Sequence, residues 1–362
     1  MTPPRLLLNG IDTLECAYYL RRAPGEQEER MDFESLLLQR EDLRQQKSKE
    51  PKTITIAGVE FLLHPYGSAS GYPLVLTNRD LHIQMGEYNV PSFFVRFSSE
   101  ALWREGAWTL HNRFMDWVIA AGLRAYKAEG LSRVDWAFDY QLPEIDFDED
   151  SFVSMSAKDA HHREDRKAQT FMFGKGDVVL RVYDKIAEIL QQSDKVWLFQ
   201  LWGGVTEDVW RVEWQARKEL LRRFGIRTFT DLRDLQGDAL RYLATEHDTL
   251  RLPGEDTNRS RWPLHPLWID LQARIDAMEC QGVERVIDEG AVLSERMMRM
   301  AISVYGYLKR SAAISRLRHG EDFISMDEAL AYLQKFMDRV HDPLTWRSDV
   351  DKRVEAMRLG QW

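Results

Sequence analysis

The chain has 362 residues, of which 44% are hydrophobic and 30% are charged, and its formal net charge is −9. This composition is typical of a globular protein with one large core or two modest ones, and it excludes a disordered or fibrous chain. No apolar run is long enough for a membrane-spanning helix or a signal peptide, and two cysteines are too few for a disulfide framework. We therefore expect a cytoplasmic protein without a membrane partner.

The first third of the chain alternates between strand and helix patterns. A strand is expected over residues 10–20 and a polar helix over residues 31–49. Short β-type runs separated by Gly and Pro occupy residues 53–97, and an amphipathic helix is expected over residues 108–129.

A second cycle of the same kind begins at residue 133. Strands are expected over residues 133–140, 178–183 and 209–217, with a helix or loop over residues 152–160 and a helix after residue 217. The repetition predicts an α+β fold in which antiparallel sheets form two similar halves, residues 1–130 and 131–225, of one catalytic domain. From residue 226 to residue 362 the β signal is absent, which predicts a helical C-terminal region that binds DNA or a partner.

Two segments of the chain are locally basic, although the net charge is negative. Residues 215–233 carry six cations against two acids, and residues 295–318 carry six against one. Phosphate binding depends on such local patches rather than on the average charge, so both groups are candidate DNA contacts. The alternative is that both are ordinary solvated helix faces.

Three predicted strands alternate polar with large apolar side chains. The period of two places Asp135 and Asp139 on one face of the first strand, and it places Arg181 and Tyr183 on one face of the second. The third strand presents its polar side chains in the same way, namely Arg211, Glu213, Gln215 and Arg217. If the strands are neighbours, acids, arginines and a tyrosine share one sheet face. A wet sheet face with alternating salt bridges is the simpler explanation.

The ordered motifs Arg-Val-Asp-x-x-x-Asp, Leu-Arg-Val-Tyr-Asp-Lys and Arg-Val-Glu-x-Gln-x-Arg resemble the Rep_trans family. This family contains rolling-circle replication initiators of small plasmids and phages and related relaxases of integrative elements. The resemblance covers residues 9–225 and includes the opening Asn-Gly-Ile-Asp-Thr-Leu of residues 9–14. It implies site-specific nicking and rejoining of DNA through a tyrosine, with a 5′-phosphotyrosine intermediate.

The family's tyrosine corresponds to Tyr183. A phenol near pKa 10 is a poor nucleophile at neutral pH, and Arg181 and Lys185, two residues away, are placed to favour its ionised form and to hold the phosphate. The basic residues that we expect to bind DNA are Arg211, Arg217, Lys218, Arg222, Arg223, Arg310 and Arg316.

The acids of this face suggest a divalent cation. Asp135, Asp139 and Glu213 are candidate ligands of Mg²⁺ or Mn²⁺, which prefer carboxylate oxygens. The alternative is that Asp135 or Glu213 pairs with Arg211 or Arg217 across the sheet.

Three functional interpretations of the sequence remain open. The first is the tyrosine nickase, which acts in replication or in transfer and has origin DNA, a separate helicase and a second copy as expected partners. The second is a DNA-binding regulator on the same scaffold without catalysis. The third is an unrelated α+β protein that does not bind DNA.

Overall fold

The computed structural model of the chain describes residues 3–23, 31–47, 49–156, 159–164, 167–278, 289–320 and 323–361. Of residues 159–164, 167–169, 289 and 291 only the backbone is described. Two compact units divide the chain, Met1–Val286 and Ile287–Trp362. The first contains a large antiparallel sheet and the second is helical, which confirms the predicted α+β class.

The first half of the sheet comes from the N-terminal third of the chain. Its elements in chain order are strand β1 (Arg5–Arg22), helix α1 (Phe33–Gln45), strands β2 (Lys52–Ile56), β3 (Val59–Leu63), β4 (Leu74–Thr77), β5 (Leu81–Met85) and β6 (Phe93–Phe97), and helices α2 (Ser99–Glu105) and α3 (Ala107–Ala120).

The helix predicted up to residue 129 ends at residue 120. Gly122 adopts a positive φ of 76°, a conformation that glycine tolerates and that commonly ends a helix. The chain then joins the sheet as strand β7 (Leu123–Gln141), whose backbone groups pair with β1 instead of with a helical turn. The helical prediction for residues 123–129 was therefore wrong.

The second half continues from β7. Its elements are strands β8 (Phe152–Ser154), β9 (Asp159–Glu164), β10 (Lys167–Phe173) and β11 (Val178–Asp184), the one-turn helices α4 (Lys185–Glu188) and α5 (Leu198–Leu201), strand β12 (Val209–Arg217) and helix α6 (Lys218–Arg223). The expected helix or loop over residues 152–160 is instead β8 and the start of β9, because β9 pairs with β10 and β8 pairs with a later strand.

Both halves share one continuous sheet of eleven strands. The strand order is β2-β3-β4-β5-β6-β1-β7-β12-β11-β10-β9, and all neighbours are antiparallel. Each half begins with a central strand, β1 or β7, places its last strand beside it, and adds the earlier ones outwards in descending order. The predicted similarity of the halves is therefore visible in their topology, although they form one sheet rather than two.

The apolar face of the sheet is covered by helices. Alternate residues of β7 and β12 are buried there, among them Trp136 and Trp214. Helix α7 (Phe229–Tyr242), strand β13 (Asp248–Leu250) and helix α8 (Pro266–Asp276) follow α6, and Trp268 of α8 packs against Trp214 with ring centroids 5.5 Å apart. This packing explains why the first unit continues to residue 286, whereas we expected the boundary after residue 225.

The second unit consists of helices α9 (Glu289–His319), α10 (Met326–Val340) and α11 (Trp346–Arg358). Ser311 of α9 donates a hydrogen bond to the carbonyl of Ala329 in α10. In the part of the chain that the structure describes, no helix combines the length and apolar character needed to cross a bilayer.

Candidate active site

The three polar strands identified in the sequence are neighbours in the sheet. Strand β12 lies between β7 and β11, so Arg211 is opposite Asp139 on one side and Tyr183 on the other. One step along, Glu213 is opposite Arg181. The alternation that places these side chains on one face follows from the pleat of the strands.

Tyr183 and Glu213 are in direct contact. The Tyr183 hydroxyl donates a hydrogen bond of 2.9 Å to Oε2 of Glu213, whose Oε1 accepts one of 2.9 Å from the guanidinium of Arg181. Burial and the negative charge of Glu213 raise the pKa of Tyr183 well above 10. This direction is opposite to the one expected from the sequence, because Arg181 contacts Glu213 instead of the phenol, and burial and Glu213 together outweigh the charge of Arg211, which lowers this pKa. The phenol therefore carries its proton and has a proton acceptor beside it.

Lys185 lies at the start of α4 and is 1% exposed. Its Nζ is 2.5 Å from Oε2 of Glu188 and 5.5 Å from the ring centroid of Tyr183. Burial and the charges of Arg211 and Lys195 lower the pKa of Lys185 to about 8. An ammonium group with this pKa can release a proton near neutral pH.

A buried cluster of ion pairs lies next to Tyr183 on the neighbouring strands. Arg211, which is fully buried, donates to Asp139 at 2.6 and 2.9 Å and to Asp12 at 2.8 Å. Although burial alone would raise it, the charges of Lys195 and Arg211 hold the pKa of Asp12 well below its usual value. Two carboxylates on one guanidinium satisfy the rule that buried charges are paired.

Asp12 and Lys195 escaped the sequence analysis as site residues. Asp12 lies within an irregularity in the pairing of β1 with β7, which interrupts the alternation that reveals a face. An acid within the predicted strand of residues 10–20 was the available signal. Lys195, whose Nζ is 3.0 Å from Oδ2 of Asp12, follows helix α4 in a loop with no recognisable pattern.

The predicted metal ligands are not gathered around one point. Asp135 and Asp139 are four residues apart on β7, or about 13 Å at the usual rise of a strand. Both oxygens of Asp139 accept hydrogen bonds from Arg211, and Arg133 binds both oxygens of Asp135. Burial raises the pKa of Asp135 to about 6. As arranged, these three acids do not fit a single divalent ion.

The same conclusion holds for the rest of the described residues. Within the described ranges, no three His, Cys, Asp or Glu side chains are grouped as a metal site. Glu213 alone among the three predicted ligands borders the open cleft next to Tyr183.

This cleft has a volume of about 260 Å³. Its lining is polar and comes from β10, β11, β12 and the segment after β11, namely Thr170, Arg181, Tyr183, Asp184, Ala187, Glu188, Gln191, Gln192 and Glu213. The tyrosine is thus accessible from one side while the ion cluster encloses the other.

The predicted DNA-binding residues fall into three places. Arg211 is fully buried in the ion cluster, so the prediction that it contacts DNA was wrong. Four exposed cations lie together at the junction of β12 and α6, namely Arg217, Lys218, Arg222 and Arg223. Arg310 and Arg316 are exposed on α9 of the second unit.

The comparisons with known proteins include a distant structural likeness. No protein-family model matches the chain, and no curated protein matches it. A solved structure of a rolling circle replication initiator protein from Geobacillus stearothermophilus is similar to 78% of this chain over 100% of its own length, with 15% identity and a TM-score of 0.46.

Proposed function

We propose that the chain is a site-specific DNA nicking and joining enzyme with Tyr183 as its nucleophile. The observation that carries the proposal is the hydrogen bond of 2.9 Å from the Tyr183 hydroxyl to Glu213, at the wall of an open polar cleft. A tyrosine that only packs on a sheet surface needs neither a buried carboxylate nor the paired cations beside it. Perturbed pKa values of neighbouring groups in a cleft are typical of catalytic sites.

The proposed reaction is a transesterification. The phenolic oxygen of Tyr183 attacks a DNA phosphorus while Glu213 takes the phenolic proton. The bond from phosphorus to the 3′ oxygen breaks, which leaves a 5′-phosphotyrosine and a 3′ oxygen. Lys185, with its pKa near 8, supplies the proton that this oxygen takes up, and Glu188, which contacts Lys185 and lines the cleft, passes it on. Arg181 balances the charge of Glu213 and faces the same cleft as the phosphate.

The buried ion cluster positions the reacting groups. Arg211 is the cross-strand neighbour of Tyr183, and its bonds to Asp139 of β7 and Asp12 of β1 tie β12 to the two strands on its other side. A nucleophile must be held within a few tenths of an ångström of its reactive position. A dependence on Mg²⁺ or Mn²⁺ remains an expectation from the family resemblance, and no step above passes through the ion.

The wider role is replication initiation or transfer of a mobile element, with origin DNA as substrate. A separate helicase and a second copy of the chain complete this proposal. The exposed cations at the β12–α6 junction and on α9 are its proposed phosphate contacts.

The test uses supercoiled plasmid that carries the gene and its flanking DNA, incubated with and without Mn²⁺. We expect open-circular DNA and a protein–DNA adduct that survives SDS, and both should be absent with Tyr183→Phe. Tyr66→Phe is the matched control, because its ring is 56% exposed and lies outside the cleft. Nicking by Tyr183→Phe would refute the assignment of the nucleophile. DNA binding without nicking by the wild type would favour the regulator.

A further inference from the structure

The polar face of the sheet carries a second feature far from the cleft. The last residues of β1 pair with the first residues of β7. Two tyrosines and three cations lie there, namely Tyr19, Arg21, Arg124, Tyr126 and Lys127. We call this group the aromatic–basic platform. We propose that it binds single-stranded DNA, which rests on the proposed nicking function.

The rings and cations of the platform are interleaved. Lys127 Nζ lies 4.5 Å from the ring centroid of Tyr19, and the Arg21 guanidinium lies 5.6 Å from that of Tyr126. The two rings meet edge to face at 6.2 Å. Tyr126 is 45% exposed, so part of its aromatic ring is accessible to a base. Stacking on an aromatic ring next to phosphate-binding cations is how proteins hold unpaired strands.

Within the described ranges, the three cations of the platform are not paired with carboxylates. Arg21 and Arg124 are direct cross-strand partners, and like charges placed opposite each other destabilise a sheet. Among the described residues, no carboxylate forms an ion pair with Arg21, Arg124 or Lys127. In a chain of net charge −9, this local excess of cations suits a polyanion.

The platform and the cleft lie on the same face of the sheet. From Leu14 to Leu20, alternate residues of β1 are buried in the core, so Glu15 and Tyr19 point to the polar side. Glu15 is opposite Arg133, which binds Asp135 of the same polar face. A strand of DNA held at the platform can therefore continue along this face towards Tyr183.

The distance between the platform and the ion cluster beside Tyr183 determines how long the bound DNA strand must be. Lys127 and Asp139 are twelve residues apart on β7, or about 40 Å along the strand. A base pair hides the faces of its bases in the duplex stack, so duplex DNA cannot use Tyr126 in this way. The platform therefore favours an unpaired strand several nucleotides away from the nick.

The experiment measures binding of a fluorescein-labelled 20-nucleotide oligothymidylate and of a labelled duplex by the full chain. Tyr126→Ala should weaken oligothymidylate binding by about 5- to 150-fold, as expected for loss of one stacked base, and Tyr126→Phe should restore it. Arg124→Glu/Lys127→Glu should reduce the slope of log K against log salt by about 1.4. The matched control is Arg44→Glu/Lys49→Glu, an equal charge change at exposed residues outside the platform.

Circular dichroism and thermal unfolding verify that each variant is folded, and the charge-reversal variant keeps the test valid if Tyr126→Ala is unstable. Unchanged oligothymidylate affinity in both platform variants would overturn the proposal, as would equal losses in the control or no binding by the wild type. If the protein binds oligothymidylate through the platform but never nicks its plasmid, the proposed nicking function is rejected and the proposed single-strand binding site is retained.

Discussion

Replacing Glu213 with glutamine separates proton transfer from the shape of the site. The change removes the negative charge beside Tyr183 and keeps an oxygen that accepts its hydrogen bond. A hydrogen bond to a charged acceptor contributes about 1–2 kcal/mol more than one to a neutral acceptor. Its loss lowers the pKa of Tyr183, and a free-energy difference of this size raises the amount of phenolate by at most about 30-fold.

The opposing effect is larger. A positioned proton acceptor contributes about 10²- to 10⁴-fold to a rate, and glutamine cannot take the proton. We therefore expect Glu213→Gln to slow nicking by about 10- to 1,000-fold, since loss of the acceptor outweighs the gain in phenolate. Single-turnover nicking of a labelled origin oligonucleotide measures this rate.

Two results would refute this reasoning. A rate within about threefold of the wild type, with Tyr183→Phe inactive, would remove Glu213 from proton transfer. A loss of thermal stability large enough to account for the lost nicking activity would show that Glu213 acts only in folding. Glu41→Gln, the same chemical change on the surface of α1, should leave both quantities unchanged.

Two further predictions concern the charges around the tyrosine. The pKa of Lys185 is lowered from 10.5 to about 8, so the unfolded chain binds more protons between these values and the unfolding free energy should rise with pH there, by up to about 3 kcal/mol. Urea titrations from pH 7.5 to 10.5 should show this rise in the wild type and not in Lys185→Met, and nicking should fall as the pH passes about 8. Asp139→Asn leaves Arg211 half compensated and should cost about 3–5 kcal/mol of stability, whereas the exposed-pair control Asp238→Asn should cost less than about 1 kcal/mol. A loss below 1 kcal/mol in Asp139→Asn would contradict the supporting role of the ion cluster.

Alternation of side chains made the central strands predictable. Residues 133–140, 178–183 and 209–217 were expected as strands, and they lie in β7, β11 and β12. Large apolar residues such as Trp136 and Trp214 mark the buried face, so the opposite face could be identified as polar. The adjacency of β12 to both partners followed only as an assumption, because pairing is set by the whole sheet.

The alternation of polar and apolar residues could not predict how deeply a side chain is buried or how the neighbouring loops are arranged. Periodicity assigns Arg211 to a face but does not reveal that loops carrying Trp202 and Lys195 cover it. For the same reason Asp139 resembled a metal ligand, although its oxygens are already bound by Arg211. The end of α3 at residue 120 was missed because the apolar spacing continues past Gly122, where the chain turns into the sheet.

The central claim is that Tyr183 forms the covalent bond to DNA, and mass spectrometry of the trapped adduct tests it most directly. Wild-type protein is reacted with an origin oligonucleotide, denatured in SDS and digested with nuclease and trypsin. Cleavage after Arg181 and Lys185 places Tyr183 in a peptide of residues 182–185. The account predicts a phosphonucleotide on this peptide. The same mass on a peptide with Tyr18, Tyr19 or Tyr140 would contradict it.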